Sequence, residues 1–306
     1  VMDEFLPANK LIVYTQGRNS PRQNFGTSSR GAFTKGNLVL MIDEYSASAS
    51  EIVAGSIQDY DRGVIIGTRT FGKGLVQNIL PLSYNTQMKV TVAKYYIPSG
   101  RCIQEIDYSH KKDSTMVKTD TLGKPFTTMG GRTVYEGHGI TPDVKVERDP
   151  YATVTAYLYG KNMIFDYANK YYNEHPTIAP AKEFKIDEAT YQDFMEFVKS
   201  HDFSYTTGCE MEMKKLKEAM EIEGCDKQVA DIVKSLEKAL EAEKANDLQN
   251  NRDDIEELLR SEIVGRYYYQ KGRIEAALQN DPDLDRAFEI LLNTNGKDEY
   301  HTLLSK

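Results

Sequence analysis

The apolar run Leu38–Ile42 follows the polar Lys35–Gly36–Asn37 and is rich in β-formers, so it predicts a strand buried on both faces of a largely parallel sheet. Gly63–Gly67 repeats the pattern and predicts the next strand. Between them, Ile52, Val53 and Ile57 alternate at helical spacing with the small residues Ala49, Ala54 and Gly55. That predicts an amphipathic helix from Ser48 to about Tyr60, packed closely by its small face. Farther along, Lys89–Ile97 alternates polar and apolar positions, and with Leu75–Leu80 and the turn residues Tyr84–Asn85 it predicts a β-hairpin. Lys111–Arg132 is polar and predicts a long surface excursion or a hairpin, and Val144–Glu147 predicts a final strand.

The periodicity changes at Asp149–Pro150, where Asp can cap and Pro can occupy the first turn of a new helix. Beyond it the pattern is helical almost throughout. Val229, Ile232, Val233, Leu236 and Leu240 form one stripe, and Ile255, Leu258, Leu259, Glu262 and Ile263 a second, mostly apolar one. Asp281–Pro282 opens another helix toward Leu292, and Phe184–Ile186 reads as a short intervening strand. The expected organisation is an α/β core with a mixed, partly parallel sheet over residues 1–148, followed by an acidic, mainly α-helical extension over 149–306. Tyr267–Tyr269 and Met211, Met213 and Met220 fit core positions of that extension better than a partner surface.

Charge sharpens the division. Residues 1–150 carry 18 basic and 15 acidic side chains, whereas 151–306 carry 20 and 31, so a net +3 half precedes a net −11 half. Neither half has the basic footprint of a nucleic-acid binder. No apolar run reaches membrane-spanning length. The three cysteines, Cys102, Cys209 and Cys225, show no CxxC spacing and are odd in number, so neither a zinc site nor a full disulfide framework is expected, with Cys209 and Cys225 left as a candidate pair.

The chemistry concentrates in Ser46–Ala47–Ser48–Ala49–Ser50–Glu51 and Phe71–Gly72–Lys73–Gly74. Ser48 falls where a strand becomes a helix, and the unpaired N–H groups of a helix N-terminus stabilise negative charge developing beside them. The competing structural reading is a capping box, Ser48 to Glu51. Lys73 lies in a glycine-flanked loop just beyond the second strand, so the two loops leave one sheet near each other. To take a proton from serine its pKa must fall from about 10.4 toward roughly 7–8, through burial and without a carboxylate partner. Phe71, Leu75 and Val76 are the expected source of that burial, and Gln77 is placed to orient the amine without lending it a negative charge. The phosphate-loop alternative fails, because no Ser or Thr follows the Lys.

These residues resemble the active-site block of the carboxy-terminal processing, or tail-specific, serine peptidases of family S41. The resemblance covers the whole stretch from Ser46 to Gln77, and extends through Phe5–Leu6–Pro7, Leu11–Tyr14, Tyr96–Arg101 and Gly137–Asp143, roughly residues 1–148. It implies a ClpP/crotonase-like peptidase core, a Ser48 nucleophile, a Lys73 general base 25 residues later, a Gln77 that supports the lysine, and the Ala49 N–H as one oxyanion donor. It also implies a bacterial cell-envelope location, protein or peptide substrates cleaved near their C-termini, no metal or organic cofactor, and an N-terminal region with a PDZ domain. That region and the loop supplying the second oxyanion donor are not in this sequence, so the chain reads as a C-terminal fragment expected to be nearly or wholly inactive alone. Tyr96 and Arg101 are candidate substrate contacts, with a loop-fixing role the alternative for Arg101. Lys89 and Lys94 read either as flanks of the substrate groove or as solvated edge residues.

Two rival readings differ in kind. One is a non-catalytic, protein-binding scaffold that keeps the fold, and the other a hydrolase of the related tricorn type with His138, or an upstream His outside this sequence, as base. The helical half could serve homo-oligomerisation, substrate delivery or regulation.

Overall fold

The computed structural model describes residues 1–29, 31–106, 123–147, 149–292 and 298–305. The chain forms two compact units, Val1–Arg148 with Pro282–Lys306, and Asp149–Asp281.

In the first unit a short helix α1 (Met2–Phe5) precedes β1 (Leu11–Gln16), β2 (Gln23–Gly26) and β3 (Val39–Ile42). Helix α2 (Ala49–Asp59) leads to β4 (Val64–Gly67), and the hairpin β5 (Leu75–Pro81) and β6 (Gln87–Tyr96) follows. The small hairpin β7 (Pro125–Thr127) and β8 (Thr133–Tyr135) and the short strand β9 (Val144–Lys145) complete the strands. The expected excursion over 111–132 lies outside the described residues up to 122. Hydrogen bonding divides the strands into an antiparallel sheet ordered β2-β1-β6-β5, a parallel sheet ordered β3-β4-β9, and the β7-β8 pair. The core is thus a mixed α/β one, with its parallel and antiparallel parts in separate sheets.

The strands expected in this unit and the helix α2 form, and Gly55 shows why small residues line that helix. A Cβ there would lie 2.6 Å from Ile97 Cδ1. Ala54 and Ile57 pack with Ile42, Ile65, Ile97, Ile103 and Ile140 into one core beneath the helix. Strand β4 is buried along its whole length, but β3 is only partly so, and Met41 is exposed. The opposite face of β4 is covered by α10 (Pro282–Leu292) and α11 (Glu299–Leu304), through Val64, Ile66, Ala287, Ile290 and Tyr300. The Tyr300 hydroxyl also accepts from the Leu38 N–H at 2.9 Å. No signal in the sequence marks this return of residues 282–306 to the first unit, where the reading at sequence level continues the helical extension to the end.

In the second unit α3 (Thr153–Gly160), α4 (Met163–Glu174), α5 (Glu188–Ser200), α8 (Asp247–Asn250) and α9 (Arg252–Ala277) enclose a core of Leu158, Ile164, Tyr167, Tyr191, Phe194, Ile255, Leu259 and Ile263. Helix α3 begins after an Ala152 cap, so Pro150 precedes the helix instead of opening it. Phe184 and Ile186 are core residues with no strand partner, because their backbone follows a turn. Helices α6 (Gly208–Glu223) and α7 (Lys227–Lys244) form a hairpin in which only Met213 and Val233 are buried. The Val229–Ile232–Leu236 stripe is exposed, Ile232 at 63 %. All three cysteines are free. Cys209 and Cys225 stand at opposite ends of α6, about 24 Å apart at 1.5 Å per residue, too far for a disulfide. Among the described residues no helix is long and apolar enough to cross a membrane.

Candidate active site

Parallel pairing of β3 with β4, Val39 against Val64 through Ile42 against Gly67, brings the carboxyl ends of the two strands side by side. The loops that leave those ends carry Ser48 and Lys73, the position at which open α/β sheets present their ligand sites. Asp43 turns the first loop, its carboxylate accepting from the Tyr45 and Ser46 N–H groups and the Ser46 hydroxyl. The Phe71 N–H donates to the Ser46 carbonyl at 3.1 Å and ties the two loops together.

Ser48 is the N-cap of α2 and holds φ 59°, ψ −114°. This is a conformation that a residue with a Cβ adopts only under constraint, and strand-to-helix turns that present a nucleophile store strain of this kind. The capping alternative is half realised. Glu51 Oε2 accepts the Ser48 N–H at 2.8 Å, while the Ser48 side chain faces the Glu51 N–H without completing a cap hydrogen bond. Ala49 is the first residue of α2, so its N–H is one of the donors a helix start leaves without an internal acceptor.

Glu51, fully buried, is the hub of the site. Its Oε2 also accepts the Lys73 N–H at 2.9 Å, and its Oε1 accepts the Thr70 hydroxyl at 2.6 Å and the Gly72 N–H at 2.7 Å. One oxygen therefore holds the backbone nitrogens of Ser48 and Lys73 within 5.7 Å of each other, the sum of its two bonds. Tyr95 makes a second clamp, its hydroxyl reaching the carbonyls of both Ser48 and Lys73. Burial first, then the Glu51 charge, pushes the Tyr95 phenol well above its usual value and keeps it a donor. Sequence reasoning used Glu51 only as a cap and passed over Tyr95. The capping spacing and the alternation of β6 were the available signals. Gly72 has φ 83°, and a Cβ there would meet Glu105 Cβ at 2.8 Å, so the bend at Lys73 requires glycine.

The Lys73 side chain is exposed, as is Phe71 at 55 %, so the expected apolar burial of the amine is not provided by Phe71, Leu75 and Val76. Lys73 instead lines an open groove of about 1020 Å³, with Phe71, Leu75, Gln77, Lys94 and Ile106 among the other lining residues. Gln77 follows a β-bulge that sets it opposite Thr91, to which its amide donates at 3.5 Å, so it shares the groove with Lys73 while bonded elsewhere.

Tyr96 and Arg101 are not in the groove. Tyr96 stacks on Tyr14 with ring centroids 4.9 Å apart. Arg101 is 1 % exposed, pairing with Asp59 at 3.0 Å and donating to Gln58 Oε1 at 2.7 Å. A side chain so enclosed fixes its loop and cannot touch substrate. Burial pushes the Asp59 carboxyl up against the pull of Arg101. His138 sits between two glycines of positive φ whose N–H groups bond the Cys102 and Ile103 carbonyls, and it is not among the residues that line the groove.

A strained hydroxyl at a helix start, tied by one carboxylate to a lysine loop on a peptide-sized groove, is an arrangement suited to acyl transfer. Residues 1–113 match Peptidase family S41, and residues 154–291 match the family described as "Probable PDZ-protease, C-terminal helical domain". The carboxy-terminal-processing protease of Bartonella bacilliformis is 46 % identical over 107 residues, 35 % of this chain and 24 % of that protein. The carboxyl-terminal-processing protease of a Synechocystis species is 42 % identical over 95 residues, 31 % of this chain and 22 % of that protein. A solved photosystem II D1 C-terminal processing protease is 26 % identical, with a TM-score of 0.36, covering 49 % of this chain and 31 % of that one. Residues 1–113 are thus similar to family S41, and the relatives matched there are carboxy-terminal processing proteases. It spans about a quarter of the length of the curated relatives it matches.

Proposed function

We propose that this chain carries the nucleophile and base of a serine endopeptidase that cleaves protein substrates near their C-termini through an acyl-enzyme. The observation that carries the reading is the strained Ser48 backbone, φ 59°, held by the same Glu51 oxygen that holds Lys73. An idle serine has no physical reason to keep that strain, which weighs against the scaffold alternative.

In the proposed reaction Ser48 Oγ attacks the scissile carbonyl carbon and its proton passes to Lys73 Nζ. The oxyanion forms beside the Ala49 N–H and the α2 N-terminus. Collapse breaks the C–N bond, with Lys73 returning the proton to the leaving amine. Water then attacks the Ser48 ester, losing a proton to Lys73, and as the ester C–O bond breaks Lys73 returns that proton to Ser48 Oγ, which frees the new carboxyl terminus and regenerates Ser48 and the neutral amine. A peptide lying in the groove would cover the exposed amine and exclude water from it, with Gln77, on the same groove, as the residue proposed to orient it. Relatives from bacteria and chloroplasts support a cell-envelope location.

Turnover of an unfolded protein by the longest natural polypeptide that contains this chain tests the reading. Ser48→Ala and Lys73→Ala are each expected to lower it by a factor of about 10³ or more. Cleavage that survives Lys73→Ala would exclude Lys73 as the base.

A further inference from the structure

Resting on that reading of the groove, we infer that Lys94 selects substrates carrying a carboxylate a few residues from the scissile bond. Lys94 lies on β6 directly opposite Leu75, two residues beyond Lys73. Its side chain points into the same groove as Lys73 and Gln77. Lys89, five residues earlier on the same strand, does not line it.

Of the other charged residues that line the groove, Lys73 is the one assigned to proton transfer. Glu105 faces Arg69 at 3.5 Å, and Glu44 accepts the Thr68 hydroxyl at 2.9 Å. Lys94 has no ion pair among the described residues, so its charge is left for whatever fills the groove. A cross-strand neighbour stands about 5 Å away and an extended peptide advances about 3.3 Å per residue. A chain whose scissile carbonyl rests at Ser48 therefore brings a side chain two to four residues away under the Lys94 ammonium. The apolar Phe71, Leu75 and Ile106 make that part of the groove a place where an unpaired substrate cation gains nothing.

The recognised group is a carboxylate, from an Asp or Glu side chain or from a chain terminus. The experiment uses one peptide series with Glu, Gln or Lys placed singly at each of four positions on either side of the cleaved bond, each made with a free or an amidated C-terminus. Binding to the Ser48→Ala protein is measured alongside cleavage by the active enzyme. At one position Glu is expected to bind about fivefold more tightly than Gln, an advantage that shrinks in high salt. Lys94→Gln removes the preference and Lys94→Glu inverts it toward Lys. If the advantage follows the free terminus and not the Glu, the source is the chain end. Equal binding of the three peptides, or a preference retained in Lys94→Gln, would overturn the inference. Binding with the expected preference but no cleavage would leave it standing and sink the peptidase reading instead.

Discussion

Replacing Glu51 by Gln turns one of its two oxygens into an amide nitrogen that must face two N–H or O–H donors. The wild-type carboxylate fills all its acceptor directions, taking Ser48 and Lys73 N–H on Oε2 and the Thr70 hydroxyl and Gly72 N–H on Oε1, with no exposure to solvent. Whichever way the amide turns, two hydrogen bonds are lost and donors oppose donors. Each bond to a charged group contributes about 1.5–3 kcal/mol, so the loss is about 3 kcal/mol at the low end. For a unit of this size that lowers Tm by roughly 6–12 °C. The effect on turnover is separable, because a displacement of about 1 Å at the reacting groups costs about 10²-fold. Glu51→Asp keeps the charge but is one methylene too short to reach the same donors, so it should lose turnover as well. Differential scanning calorimetry and peptide cleavage on the same preparations check both parts. A Glu51→Gln protein that melts within about 2 °C of wild type and cleaves at the wild-type rate would refute the clamp.

Three further outcomes follow from other parts of the structure. Ser48→Gly relieves the positive φ while Ser48→Ala retains it, so the glycine variant should be inactive yet melt roughly 1–3 °C above the alanine one; the reverse order would show that no strain is stored there. Burial pushes the Glu262 carboxyl up, but the Arg266 and Arg273 guanidiniums outweigh it and hold the group below the usual 4.5. A depressed carboxyl stabilises the fold above its unfolded value and loses that contribution as the pH falls through the folded one. The stability of the helical unit should therefore drop below about pH 4.5, and Glu262→Gln should flatten the drop in a pH series of thermal melts. Ile290 is 1 % exposed against the face of β4, so Ile290→Ala should cost about 2–5 kcal/mol, read as faster amide exchange in β4; unchanged exchange would mean that α10 does not complete that core.

The parts of the first unit that could be read in advance are those governed by local pattern. Leu38–Ile42, Gly63–Gly67 and the Ile52–Ile57 stripe each announce an element by period and composition, and Ser48 and Lys73 stand out because the loops after two neighbouring strands must emerge together. What escaped the reading depends on contacts distant in sequence. Nothing about Ile290 or Tyr300 says that they cover β4 and not another helix, since an amphipathic stripe specifies a buried face but not its partner. The α7 stripe makes the same point in reverse, for Val229, Ile232 and Leu236 have core spacing and lie exposed.

Arg101 and Glu51 show how burial decides the role of a charged side chain. Both were visible as charged residues inside the stretch that resembles the peptidases. Arg101, enclosed with Asp59, is removed from substrate and fixes a loop, because a charge taken out of water must spend its hydrogen bonds on the partners around it. Glu51 is enclosed as completely, but the donors that satisfy it are the backbones of Ser48, Gly72 and Lys73 themselves. Its desolvation is therefore compensated only while the serine and lysine loops stay together, so the cost of burying the carboxylate becomes a restoring force on the spacing of the two groups. Lys73 could be left exposed, with its side chain free to meet a substrate, because that buried carboxylate fixes its backbone from below.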